Sequence, residues 1–242
     1  MPMRHMRGVR ADTSWNCGMM TEPDLLGIAH FAVGCVAVLA GLAALSSRKG
    51  QVWHRASGSI FVIAMLALAL SGLWLSLARD ILFTVFLSGI AGHAVLTSWA
   101  AARRQAWLSI VLARWSGLVS GGLCLGAVSG GLIAASSPEG RLNDLPPAAF
   151  YLLAGVSFGL FVLDLFYARN TAPQRVSWLS RHLWRMGFAF FLATGIFFFG
   201  NNHVLPEALR TPLVLSVPVL TVIGWTLVFG VKVRLAAGRM QR

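Results

Sequence analysis

The chain has 242 residues, of which 57% are hydrophobic and 12% charged, about half the charged share of an ordinary soluble domain. This composition excludes an ordinary soluble globule and leaves room for about seven membrane-spanning helices of about 20 residues each. The formal charge of +12 is spread over the segments between apolar runs. That distribution favours a positive face against anionic lipid over nucleic-acid binding.

Seven apolar runs follow one another, each about long enough to cross a lipid bilayer as a helix. They cover residues 25–45, 56–78, 81–102, 116–136, 148–168, 182–200 and 212–233. The apolar segment 107–113 lies between arginines and is either an interfacial segment or an extension of the fourth helix. The sequence predicts an all-α bundle of seven transmembrane helices over 25–233, with an N-terminal tail over 1–24 and a basic tail over 234–242.

The basic residues predict the orientation of this bundle. Fourteen Lys and Arg residues fall on the side that holds the C-terminus, and six fall on the other side. Because positively charged loops stay in the cytoplasm, we expect the N-terminus outside and the C-terminus in the cytoplasm. We expect the protein in the cell inner membrane.

Glycines on the fourth run predict close helix packing. Gly122, Gly126 and Gly130 form a doubled pattern of small residues at four-residue spacing, which lets two helix backbones approach. Packing within the chain is the interpretation that we favour. Formation of a homo-oligomer through the same three glycines is the alternative.

Asp164 is the only acidic residue inside the runs, close to the cytoplasmic end of the fifth. Because an unpaired carboxylate in hydrocarbon costs several kcal/mol, we expect Arg185 or His182 as its partner. Such a pair either holds two helices together or belongs to a path for protons or a ligand. That path would also include His30, His93 and His203.

Two histidines stand at the start of their runs on the cytoplasmic side, His54 before the second run and His182 at the sixth. We predict that they face one another across a shared cavity, with Gly58 and Ala189 near the contact between the two helices. Two imidazoles from different helices at one depth suit the ligation of a b-type haem. Arg55 and Arg185 are the candidate partners of the haem propionates.

Two segments, RKGQVWHRASG at 48–58 and HLWRMGFAFFLATGIFFFG at 182–200, carry a family resemblance. They resemble a bacterial family of predicted multi-pass membrane proteins known only as a domain of unknown function. The resemblance extends over about 25–233, and its motif positions are Lys49, Gly50, His54, Arg55, Gly58, His182, Arg185 and Met186. It implies a membrane location and a role for His54 and His182, but no activity.

Several functions remain as hypotheses at this point. The leading one is membrane electron transfer with a b-type haem near the cytoplasmic side. The alternatives are a proton-coupled transporter and a cofactor-free structural or sensory membrane protein. A membrane metallohydrolase would need His54, His182 and Asp164 at one level.

Overall fold

The computed structural model describes residues 22–103, 107–169 and 175–240, so nearly all of the predicted N-terminal tail lies outside the described residues. Seven of its helices are long and apolar enough to cross a membrane. They are α1 (Glu22–Ser46), α2 (Val52–Ala78), α3 (Leu82–Ala102), α4 (Trp107–Ser136), α5 (Pro147–Arg169), α6 (Arg175–Gly195) and α7 (Pro212–Met240). The predicted all-α architecture with seven spans is confirmed.

Several helices extend beyond the apolar runs. The segment 107–113 belongs to α4, so the extension is correct and the interfacial segment is wrong. The second helix begins four residues before its run, and the last continues to Met240, through most of the predicted basic tail. Apolarity marks only the part of a helix that lies in hydrocarbon, whereas backbone hydrogen bonds continue the helix into the interface.

The helices alternate in direction, and α3 lies at the centre of the bundle. It packs against α2, α4, α5 and α6, while α6 also contacts α1 and α7. We call the end where α1, α3, α5 and α7 finish the basic end, because most loop arginines lie there. The other end is the opposite end. Large apolar side chains such as Leu39, Leu70 and Leu213 are exposed on the outer surface, which fits contact with a lipid bilayer.

Side chains of α2 and α6 meet in the main apolar core. The rings of Phe61 and Phe190 pack edge to face with their centroids 5.5 Å apart, and Ala189 lies in the same core. The second and sixth helices thus meet through core side chains, while α1 and α3 each pack against both of them. That the two helices are neighbours at the basic end stays a prediction. Gly58 is not part of the contact, since a Cβ atom there would meet nothing within 4 Å.

The glycines of α4 do not form one continuous surface. A Cβ atom on Gly126 would lie 2.5 Å from the ring of Phe86 in α3, and one on Gly130 would lie 2.8 Å from the ring of Phe150 in α5. Gly122 faces open space. Two of the three glycines thus serve close packing within the chain, which was the favoured interpretation.

The sixth helix changes its winding near the opposite end. After Gly195 it continues as a π-helix over Ile196–Gly200, followed by short 3₁₀ turns at Asn202–Val204 and Glu207–Leu209. His203 therefore lies in a turn beyond the sixth helix and is exposed. A π-helical segment widens the helix and is frequent at functional sites.

Candidate functional site

Buried charge is concentrated around Asp164 in α5, whose side chain has no exposed surface. Its Oδ1 atom accepts hydrogen bonds from Nη2 of Arg181 at 2.7 Å and from Nη2 of Arg185 at 2.5 Å. Its Oδ2 atom accepts from Nε2 of His93 and from Oγ of Ser120, both at 2.9 Å. We call these five residues the Asp164 cluster. The predicted pairing of Asp164 with Arg185 is confirmed.

A second layer of polar contacts holds the two arginines. Arg185 donates to Oγ1 of Thr97 at 2.6 Å and to the carbonyl oxygen of Leu160 at 3.4 Å. Arg181 donates to Oγ of Ser116 at 3.2 Å. Its guanidinium also lies 3.9 Å from the centroid of the Tyr167 ring, at cation–π distance. The Asp164 cluster thereby ties α3, α4, α5 and α6 together.

Three of these four helices contribute in the same way, each with two polar side chains four residues apart. The pairs are His93 with Thr97, Ser116 with Ser120, and Arg181 with Arg185. Residues at this spacing share one face of a helix. The sequence prediction missed Arg181, which it counted as a loop residue, together with Thr97, Ser116 and Ser120. The repeated spacing is the signal that identifies them.

The membership of the cluster decides between the two partners expected for Asp164. Arg185 bonds to it, whereas neither His54 nor His182 does. Arg185 is 4% exposed and its guanidinium is used by the Asp164 cluster, whereas Arg55 is exposed. The carboxylate also accepts hydrogen bonds from His93 in α3 and from Ser120 in α4, because only full pairing offsets its loss of hydration.

His54 and His182 are each fixed through Nδ1 by an oxygen of the chain. Nδ1 of His54 lies 2.9 Å from the carbonyl oxygen of Ala44 in α1, and a carbonyl can only accept, so this nitrogen carries the proton. Nδ1 of His182 lies 3.1 Å from Oγ of Ser98, whose own proton goes to the carbonyl oxygen of His182. That nitrogen therefore also donates. Within the described residues, Nε2 of neither imidazole forms a hydrogen bond.

The two imidazoles stand level on two parallel helices, α2 and α6. Phe61 and Phe190, whose rings touch, lie seven and eight residues after His54 and His182. At 1.5 Å per residue these separations are about 10 and 12 Å along the helix axes. At the basic end the fold thus places two imidazoles with unbonded Nε2 atoms at one depth.

A cavity of about 360 Å³ lies near the opposite end, between α1, α2, α3 and the π-helical end of α6. We call it the His30 cavity; its lining includes His30, Phe31, Gly72, Ser88 and Phe197. The residues predicted to form one proton or ligand path therefore lie in separate places, because His93 bonds to Asp164 while His30 lines this cavity. His203 is exposed, and its backbone carbonyl accepts a hydrogen bond from Arg210 at 2.8 Å.

The residues that a metallohydrolase would need are not gathered. Across 22–103, 107–169 and 175–240 there is no group of three or more His, Cys, Asp or Glu residues able to hold a metal ion. Asp164 bonds to His93 and to two arginines instead of meeting His54 and His182. The required set of ligands is thus absent from the described part of the chain.

The fold defines a multi-pass membrane protein of seven helices with a buried charge cluster. Residues 27–108 match the model of a family described as "Predicted membrane protein (DUF2306)". Over that stretch the chain is similar to a membrane protein family of unknown function, which is the class that the family resemblance indicated. The match includes His30, His54 and His93 and ends before Asp164 and His182. Comparisons with curated proteins and with solved structures found no match.

Proposed function

We propose that this membrane protein transfers electrons through a b-type haem held between His54 and His182. The observation that carries the proposal is the state of the two imidazoles. Each has Nδ1 bound by an oxygen of the chain and an Nε2 lone pair with no described partner. Histidines that bind metals show this pattern, because the hydrogen bond at one nitrogen fixes the tautomer and leaves the other as ligand.

Placement supports the same proposal. His54 and His182 come from two different helices at one depth, so that both could hold one haem. The exposed guanidinium of Arg55, next to His54, would be the partner for a propionate group. A bound haem would supply one-electron chemistry, and the chain would hold it through Nε2 of His54 and of His182.

The Asp164 cluster positions His182 in this proposal. Arg181 and Arg185, one residue before and three residues after His182, anchor α6 through their bonds to Asp164. Thr97 and Ser98 in α3 then bind Arg185 and His182 respectively. The transporter alternative has less support, since both oxygens of Asp164 already accept two hydrogen bonds and the side chain has no exposed surface.

Orientation determines the side of the membrane on which this haem would lie. Arg181 and Arg185 are buried, so they no longer count as loop charges, and the bias becomes twelve against six. The bias still supports a cytoplasmic basic end and an inner-membrane location. Reporter fusions after Gly140 and after Arg239 are expected to report outside and cytoplasm, and the reverse result would move the haem to the outer side.

A visible spectrum tests the haem directly. Protein purified in detergent from cells supplied with ample haem should show a b-type α-band in the reduced-minus-oxidised difference. His54→Ala and His182→Ala should each lose this band. The matched control is His203→Ala, because His203 is exposed and only its backbone forms a described bond. A wild-type protein without the band, or a band that survives both ligand substitutions, overturns the proposal.

A conservative substitution separates ligation from folding. In His54→Met a thioether can replace the imidazole as axial ligand, so the haem is retained and its reduction potential rises. A potentiometric titration of the α-band measures that shift. A histidine that only ties α2 to the carbonyl of Ala44 predicts no shift in potential.

A further inference from the structure

The His30 cavity contains two polar groups that the fold does not use. Among the described residues, Oγ of Ser88 in α3 forms no hydrogen bond, although Ser71 and Ser76 on the adjacent helix α2 both bond to a carbonyl of their own helix. A helical serine normally donates to such a carbonyl. The free hydroxyl of Ser88 therefore remains available to a molecule in the cavity that it lines.

His30 supplies the complementary acceptor. Its Nδ1 lies 2.7 Å from Oγ of Ser71, and that hydroxyl donates its proton to the carbonyl oxygen of Ala67 at 2.6 Å. Nδ1 of His30 must therefore donate to Ser71, which leaves Nε2 as a lone-pair acceptor. Nε2 has no hydrogen-bond partner in the described part of the chain. Besides the exposed guanidinium of Arg79, which also lines the cavity, Ser88 and His30 thus offer one donor and one acceptor.

The two groups lie close together across Gly72. A Cβ atom built on this glycine would lie 2.8 Å from Oγ of Ser88 and 3.4 Å from Cε1 of His30. The missing side chain therefore keeps open the space that both polar groups border. Next to them, the rings of Phe31 and Phe197 are stacked with their centroids 5.6 Å apart, and both rings line the cavity.

We infer that the His30 cavity binds a monocyclic hydroquinone. A volume of about 360 Å³ suits a single substituted ring, because ligand pockets begin at about 300 Å³. The apolar walls and the stacked phenyl rings suit an aromatic ring. One hydroxyl of a hydroquinone can accept from Ser88 and donate to Nε2 of His30. Neither a hydrocarbon nor a simple quinone satisfies both groups.

Binding rests on the cavity alone, whereas an electron-donor role for the hydroquinone rests on the proposed haem. Oxidation of one hydroquinone to the quinone would release two electrons and two protons. The electrons would be taken up singly by a one-electron acceptor, which is the chemistry that the proposed haem would supply. Nε2 of His30 accepts the first proton, and the second passes to solvent.

Binding is tested by titrating the detergent-solubilised protein with tetramethylhydroquinone under argon, with heat as the readout. Ser88→Ala and His30→Phe should each weaken binding about threefold to tenfold, the equivalent of one hydrogen bond. Gly72→Val should abolish binding by filling the cavity. Gly122→Val is the matched control, since Gly122 faces open space, and it should bind as the wild type does.

A probe without oxygen completes the test. Tetramethylbenzene has the same ring and methyl groups, so equal affinity for both probes overturns the hydrogen-bonding part of the proposal. Undiminished binding to Gly72→Val overturns the site itself. The two proposals are separated by measuring the spectrum and the titration on the wild-type protein. A haem band without hydroquinone binding removes this inference only, and binding in the His30 cavity without a haem band removes only the proposed function. The His54→Ala variant should lose the band and still bind the hydroquinone.

Discussion

The Asp164 cluster and the His30 cavity lie in opposite halves of one bundle and share α3. Polar atoms are hydrogen-bonded to one another in the first, whereas two of them border open space in the second. Around Asp164, each carboxylate oxygen accepts two hydrogen bonds, and the donors come from α3, α4 and α6. Around His30, a serine hydroxyl and an imidazole nitrogen border about 360 Å³ of open space.

Each region has a histidine among small residues, so the difference comes from what packs against it. Asp164 lies opposite His93, and its charge recruits every donor within reach because an unpaired carboxylate in hydrocarbon is costly. The charged residue that lines the His30 cavity, Arg79, is exposed, and glycine and alanine on α2 and α3 leave the space unfilled. The first region is therefore expected to control stability and the second to control binding.

The largest effect is expected from Asp164→Asn. This change leaves two buried arginines without their counter-charge and should cost about 3–5 kcal/mol in the free energy of unfolding. The matched control is Asp144→Asn, because Asp144 is exposed and its φ of 61° is one that asparagine adopts readily. Thermal unfolding in detergent measures both variants. Equal midpoints for Asp164→Asn and wild type would remove the stabilising role of the cluster.

A smaller loss is expected from Arg185→Lys. The guanidinium of Arg185 bonds to Thr97 and Asp164 through two different nitrogens, which one ammonium group cannot reproduce. We expect a loss of about 1.5–3 kcal/mol, the range for hydrogen bonds to charged groups. Arg141→Lys makes the same change at an exposed loop position and should leave the unfolding midpoint in place. If both substitutions behave alike, the fork geometry of Arg185 contributes nothing.

The three glycines of α4 should respond differently to added volume. Gly126 and Gly130 lie against aromatic rings of α3 and α5, so Gly126→Ala and Gly130→Ala should each cost about 1–3 kcal/mol by pressing on Phe86 and Phe150. Gly122→Ala, on the same helix, should be neutral or slightly stabilising. The thermal unfolding midpoints of the three variants give the ranking. If Gly122→Ala lowers the midpoint most, Gly122 contacts a second copy of the chain.

The smallest effects separate two serines that the sequence does not distinguish. Ser120 is fully buried and bonds to Asp164, so Ser120→Ala should cost about 1–2 kcal/mol. Ser88 has no hydrogen bond among the described residues, so Ser88→Ala should change stability by less than about 0.5 kcal/mol. Chemical unfolding of both variants in the same detergent resolves the difference. A larger cost at Ser88 would show that its hydroxyl belongs to the core.

The sequence by itself determined the seven spans, because the length of an apolar run is a local property that the bilayer thickness sets. It also indicated that Asp164 pairs with Arg185 or His182, since a lone carboxylate at that depth needs a nearby cation. The four-residue spacing of Arg181 with Arg185 and of Ser116 with Ser120 already marked one polar face on each helix. A single helix pattern shows which residues share a face but not which helix lies opposite.

Only the tertiary structure decided which faces meet. It joined His93 to Asp164 across 71 positions of sequence, and it left Arg55 exposed while burying Arg185. It also fixed the imidazole tautomers, because a tautomer depends on whether the neighbouring atom is a carbonyl oxygen or a hydroxyl. The His30 cavity arises in the same way, since a space between four helices depends on their separation and on side chains contributed by all of them.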